Sequence, residues 1–135
     1  MDNYIKNKCK NEFNELFFVN GGFKSILVNL PTSQNESRKT IVIDTITINT
    51  SCYCESKIKV DFNLNILRNQ GVQVNGINFQ VYKICDNISY KVPVGGNFFY
   101  QNNNLNSGTN LLQITAYDDN ICNSKRCTYV LEATI

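Results

Sequence analysis

Lys57-Ile58-Lys59-Val60-Asp61-Phe62-Asn63-Leu64-Asn65-Ile66 places an apolar residue at every even position and a polar one at every odd position. Successive side chains of a β-strand point to opposite faces, so this period of two packs one face on a core and leaves the other in water. From this strand the reading extends in both directions. Upstream, residues 40–50 alternate with a slip of phase: Ile41 and Ile43 share one parity, Ile46 and Ile48 the other, and the change falls at Asp44-Thr45. A bulge there, or a crossing between sheets, would let both halves face one core.

Downstream, strands are expected over residues 77–85, 97–101, 109–118 and 127–135, with turn residues between them in the spacing of an antiparallel sandwich. In the last, Cys127, Tyr129, Leu131, Ala133 and Ile135 point one way, and Thr128, Val130, Glu132 and Thr134 the other. Near the start, residues 16–19 and 23–30 flank the tight-turn sequence Asn20-Gly21-Gly22. Pro93 cannot donate to a ladder and marks an edge or a bend. The strand ending at Cys85 is expected to form a hairpin with residues 57–66. The expected fold is therefore all-β: an antiparallel, jelly-roll-like sandwich of about eight strands with at most one short helix. Phe62, Leu64, Ile66, Phe79, Val81, Leu112, Ile114, Tyr129 and Leu131 are its expected core.

The length of 135 residues suits one such domain, assigned to residues 15–135. Residues 1–14 are polar, carry Cys9 and lack sustained alternation, so they read as an extended arm. Thirteen Lys and Arg are scattered against eleven Asp and Glu, and no stretch gathers basic and aromatic residues as a nucleic-acid groove requires. No apolar run approaches the roughly 20 residues of a membrane-spanning helix, and no membrane insertion is expected. Asparagine supplies 22 of the 135 residues, many of them at turns, where its tolerance of left-handed backbone suits it. Asn35, Asn49 and Asn87 match the glycosylation acceptor, as an Asn- and Ser-rich chain does by chance.

Six cysteines accompany no histidine. Histidine is the usual base near neutral pH and the commonest metal ligand, so its absence moves the cysteines toward a structural role. A zinc site asks for four ligands, commonly in two C-x2-C pairs, whereas Cys52 and Cys54 form C-x-C and Cys122 and Cys127 form C-x4-C. A nucleophilic cysteine wants an adjacent base, and none is suggested. The expectations are no enzyme, no metal and no cofactor. Buried free thiols in a reducing compartment are the competing reading, and they agree with the lack of an apolar export segment behind Met1. Against that stands the position of four of the six beside turns or on the arm. Within residues 15–135 the cysteines are Cys52, Cys54, Cys85, Cys122 and Cys127, an odd number, so one is left over for Cys9 of another chain. Cys54, Cys85 and Cys122 are the candidates for that intersubunit bond. Cys52 with Cys127 is a favoured intrachain pair, and Cys85 is expected near Cys54.

Asp44-Thr45-Ile46-Thr47-Ile48-Asn49-Thr50-Ser51-Cys52-Tyr53-Cys54, then Ile58-Lys59-Val60-Asp61-Phe62, Ile77-Asn78-Phe79-Gln80-Val81-Tyr82-Lys83-Ile84-Cys85, Val92-Pro93-Val94-Gly95 and Cys127-Thr128-Tyr129 together resemble a family of small Cys-rich domains of unknown function from anaerobic spore-forming bacteria. In layout, a single sandwich with a Cys-bearing arm is similar to the endospore-appendage fibre subunits of aerobic spore formers. That likeness implies a self-assembling subunit of an extracellular fibre or spore-surface layer, joined by strand addition and intersubunit disulfides. Its partners would be copies of itself and an anchor protein of the spore coat or exosporium. It would be made in the mother cell and released by lysis, without a signal peptide. The rival reading is a carbohydrate- or adhesin-type binding module that uses the Asn-rich residues 101–110, with Tyr53, Tyr82, Tyr90, Tyr100 and Tyr117 as aromatic contacts.

Overall fold

The alternating stretch forms β2 (Lys57–Arg68), and its even positions turn inward as the period of two requires. The structure is a computed structural model that describes residues 38–49, 57–71, 74–86, 88–119 and 126–135. Around β2 stand β1 (Thr40–Ile48), β3 (Val74–Cys85), β4 (Val92–Asn102), β5 (Gly108–Asp119) and β6 (Cys127–Thr134). Among the described residues there is no helix, and hence none long and apolar enough to cross a membrane. The described residues form six strands where the sequence reading counts about eight; the other two expected, residues 16–19 and 23–30, lie outside the described residues.

The described strands form two antiparallel sheets, one of four strands in the order β1-β6-β3-β4 and one of two, β2-β5. The pairings nest: β3 with β4, β2 with β5, and β1 with β6. β6 also pairs with β3, which joins β1, β6, β3 and β4 into one sheet. This corrects the expected hairpin between residues 57–66 and the strand ending at Cys85. β2 and β3 sit in different sheets, and the connection between them crosses from one to the other.

Both sheets contribute to one hydrophobic core. Tyr129 and Leu131 on the central strand β6 are fully buried (0% exposed), and Val60, Phe62, Phe79, Val81, Ile114, Ala116 and Ala133 pack with them. Leu64, Ile66 and Leu112, also expected inside, are partly buried against this cluster. The phase slip in β1 is resolved by a bulge. Val42 pairs with Glu132 and Asp44 with Leu131, so Ile43 is the extra residue and all of Ile41, Ile43, Ile46 and Ile48 reach the core.

Pro93 lies in β4, an edge strand of its sheet, where its missing N–H removes no ladder bond that a neighbour needs. Beyond it β4 bends. Phe79 pairs with Phe98 and Val81 with Val94, which leaves Gly95, Gly96 and Asn97 opposite Gln80. Gly95 takes φ = +75°, a left-handed conformation that glycine adopts without penalty. The buried Gln80 amide donates to the carbonyls of Val94 and Gly95, both at 3.3 Å, and to that of Val81 at 2.9 Å. At this bend the two sheets meet: a Cβ on Gly95 would lie 3.7 Å from the Ala116 Cβ of β5.

Candidate functional site

Polar side chains enter the interior at two opposite ends of the core. At the first, β3 and β6 set Lys83 opposite Tyr129 and Cys85 opposite Cys127, and alternate residues of each strand share the inward face. Asp118 of β5 reaches them from the other sheet. Its Oδ2 lies 2.8 Å from Lys83 Nζ and accepts a hydrogen bond from the Tyr129 hydroxyl at 2.6 Å. Lys83 and Asp118 are mostly buried, with side chains 17% and 15% exposed. Burial first, then the hydrogen bond to Asp118 and its negative charge, push the Tyr129 phenol far above its ordinary range.

Beside this triad Cys85 and Cys127 are joined by a disulfide. The Asp86 N–H donates to the Arg126 carbonyl at 3.0 Å, so the next pair inward is a non-hydrogen-bonded one, where facing side chains are closest. The register of β3 on β6 thus sets the two Cα atoms 4.1 Å apart. This bond replaces the expected Cys52–Cys127 pair, because the strand that lies beside Cys127 is β3. Of the three partners offered for Cys9, Cys85 is therefore bonded within the chain. Cys9, Cys52, Cys54 and Cys122 lie outside the described residues.

At the second end Arg68 closes β2 as a buried guanidinium, 8% exposed. It pairs across the ladder with Gly108, where a Cβ would stand 2.9 Å from its Nη2, so a larger residue there would require the guanidinium to shift. Nη1 donates to the carbonyls of Asn104 at 2.8 Å and Asn106 at 2.9 Å. Nε reaches Asn110 Oδ1 at 3.4 Å, an oxygen that also accepts from Tyr100 at 2.8 Å and Asn102 at 3.1 Å. The connection between β4 and β5 is further ordered by two side-chain turns, Asn104 N–H to Asn102 Oδ1 and Asn106 N–H to Asn104 Oδ1, each 2.9 Å.

The sequence reading singled out none of Lys83, Asp118 or Arg68, and it reached Asn110 only as the end of the Asn-rich residues 101–110. The signal was parity: Arg68 and Asp118 occupy the inward positions of strands whose other inward residues are mainly apolar, and Lys83 stands between Val81 and Cys85 on the inward face of β3. The aromatic residues offered for ligand contact do not converge. Tyr117 is exposed on β5, Tyr90 follows β3, Tyr100 is buried in the Arg68 cluster, and Tyr82 lies on the outer face with Lys91 Nζ 4.3 Å above its ring. Tyr53 lies outside the described residues. Lys91 also meets Glu132 at 2.7 Å on that face. Among the described residues no group of three or more Cys, Asp and Glu is placed to hold a metal ion.

Two antiparallel sheets around one core, tied across by a carboxylate and along one sheet by a disulfide, define an all-β protein whose interior polar groups satisfy one another. The chain belongs to the family described as Domain of unknown function (DUF4489), which matches residues 18–135 and leaves the first seventeen outside. No curated protein and no solved structure matches it.

Proposed function

We propose that the chain is a structural, self-assembling subunit of an extracellular fibre or spore-surface layer, with the N-terminal arm of one copy added as a strand to the next and fixed by an intersubunit disulfide. The observation that carries this reading is the Cys85–Cys127 bond. It leaves Cys52, Cys54 and Cys122 in the domain, still an odd number, so Cys9 is needed to complete the pairing. Cys54 and Cys122 are the acceptors we propose on the neighbouring copy. The nested pairing of the six strands supports a jelly-roll sandwich as the finer description of the fold. The sheet edges at β1 and β2, not paired with another described strand, support strand addition, since such edges offer main-chain hydrogen bonds to an incoming strand. A head-to-tail contact of this kind that does not close on itself propagates as a filament. In this reading the partners are further copies and a spore-coat or exosporium anchor, and release follows lysis of the mother cell.

A second reading, the carbohydrate- or adhesin-type module, draws on the Arg68 cluster. A loop held by a buried guanidinium and two Asn turns is preorganised for contact, and Leu105 stands exposed on it. Denaturing electrophoresis with and without reductant, beside negative-stain microscopy, separates the two. The fibre reading expects a ladder of multimers that collapses on reduction and is lost in Cys9→Ser, with ordered filaments in the micrographs. A single monomer band in both lanes with dispersed particles rejects it.

A further inference from the structure

Lys83, Asp118 and Tyr129 hold the parts of a condensation reaction as well as those of an ion pair. The amine belongs to β3 of the four-stranded sheet and the carboxyl to β5 of the other. Nζ lies 2.8 Å from Oδ2. With a carboxyl C–O bond of about 1.2 Å, Nζ stands no more than about 4 Å from the carbonyl carbon, close to the roughly 3–3.5 Å at which reacting atoms are poised. The two side chains are 17% and 15% exposed, so little water competes for either. Lys83 faces Tyr129 as Cys85 faces Cys127, two residues along each strand, so the disulfide holds the amine and the phenol in register. Groups fixed in this way reach effective concentrations of roughly 10⁵–10⁸ M when well oriented, which is what free amine and carboxylate in water lack.

We propose that Lys83 and Asp118 condense within the folded protein into an amide that joins the two sheets covalently, with the Tyr129 hydroxyl as proton donor to the departing oxygen. One ammonium proton passes to Oδ2 and discharges both groups, as a low-dielectric interior favours. The lone pair of Nζ then bonds to Cγ, and the Cγ–Oδ2 bond breaks. Oδ2 is the oxygen that leaves, because Lys83 and Tyr129 both converge on it. Tyr129 gives Oδ2 its second proton across their 2.6 Å hydrogen bond and recovers one from the nitrogen. One water departs, Nζ keeps one hydrogen, and nothing is oxidised or reduced. The raised phenol stays protonated and so remains a donor, but it is a weak acid, which makes the step slow. Freshly folded protein therefore holds the ion pair, and the amide accumulates with age. Both groups belong to one chain, so the inference is independent of polymerisation.

The test is the intact mass of full-length protein aged in native buffer at physiological temperature over several weeks, with each sample reduced and alkylated before measurement. The expected result is the loss of one water, and tandem mass spectrometry of a protease digest should find a branched peptide that joins Lys83 to Asp118. Lys83→Arg keeps the cation and removes the nucleophilic amine, so it should hold its full sequence mass. Tyr129→Phe should lose water at least about tenfold more slowly than the parent. A parent that stays at full mass throughout overturns the proposal. So does water loss that persists in Lys83→Arg, or that is equally fast for the parent unfolded in guanidinium chloride, since either would place the event at a succinimide elsewhere in the chain. An unchanged rate in Tyr129→Phe overturns the role given to the phenol.

Discussion

At one end of the core Lys83, Asp118 and Tyr129 tie β3 and β6 to β5 through a single carboxylate oxygen. At the other, Arg68 meets no described carboxylate and is held by the carbonyls of Asn104 and Asn106. Both arrangements admit a cation to a largely apolar interior, and they differ in what each cation fastens. The first joins the two sheets, so its loss is felt by the core. The second joins β2 to the connection between β4 and β5, so its loss is felt first by that loop. A buried charge with an ionic partner is costly to separate from it, whereas backbone carbonyls near the surface return to water when their donor leaves.

That contrast can be broken at four points. The largest effect is expected from opening the disulfide beside the first cluster with Cys85→Ala and Cys127→Ala together. The bond closes a chain segment with a sequence separation of 42, and a loop of that size corresponds to about 4 kcal/mol of unfolded-state entropy. Urea denaturation of this variant against the parent measures it. Next, Asp118→Ala removes the acceptor shared by Lys83 and Tyr129 and is expected to destabilise by about 3 kcal/mol. Asp118→Asn, which keeps a neutral acceptor, should lose less, and an equal loss from the two would show that charge plays no part.

Arg68→Met keeps the aliphatic stem and removes the guanidinium. An expected loss of about 2 kcal/mol should be accompanied by faster hydrogen exchange at Asn104 and Asn106, while amides of β6 stay protected. Uniformly faster exchange across β6 would erase the distinction between the two ends.

Tyr129→Phe is expected to cost least at neutral pH, about 1 kcal/mol, and it carries a pH signature. The folded phenol is raised above its unfolded value, so it contributes stability that is complete below pH about 10, where both states are protonated. Above that pH the unfolded tyrosine ionises while the folded one holds its proton, and stability falls. The stability difference between parent and Tyr129→Phe should therefore shrink as pH is raised from 8 to 10.5, and a constant difference would contradict the assignment.

The strands themselves were legible in the residues. Alternation in β2, the phase slip in β1 and the proline in β4 each correspond to a local steric rule, and they became a two-faced strand, a bulge at Ile43 and an edge. The inward face of β6 was legible for the same reason, since Cys127, Tyr129, Leu131, Ala133 and Ile135 are all buried. What alternation cannot carry is the identity of the neighbour. A strand with one apolar face fits equally well beside any other such strand, and adjacency in sequence favours hairpins, so β2 was matched with the strand that follows it when its partner is β5.

The cysteine pairing and both polar clusters depended on that choice. Lys83, Asp118 and Tyr129 stand on three different strands of two sheets, and only the tertiary arrangement brings the three together. Residue order determined which positions turn inward, because side-chain direction is set by the local backbone. The tertiary structure alone decided which inward positions meet, because that depends on which strands pair and which sheet each joins, with Cys85 facing Cys127 and Asp118 meeting Lys83 as its consequences.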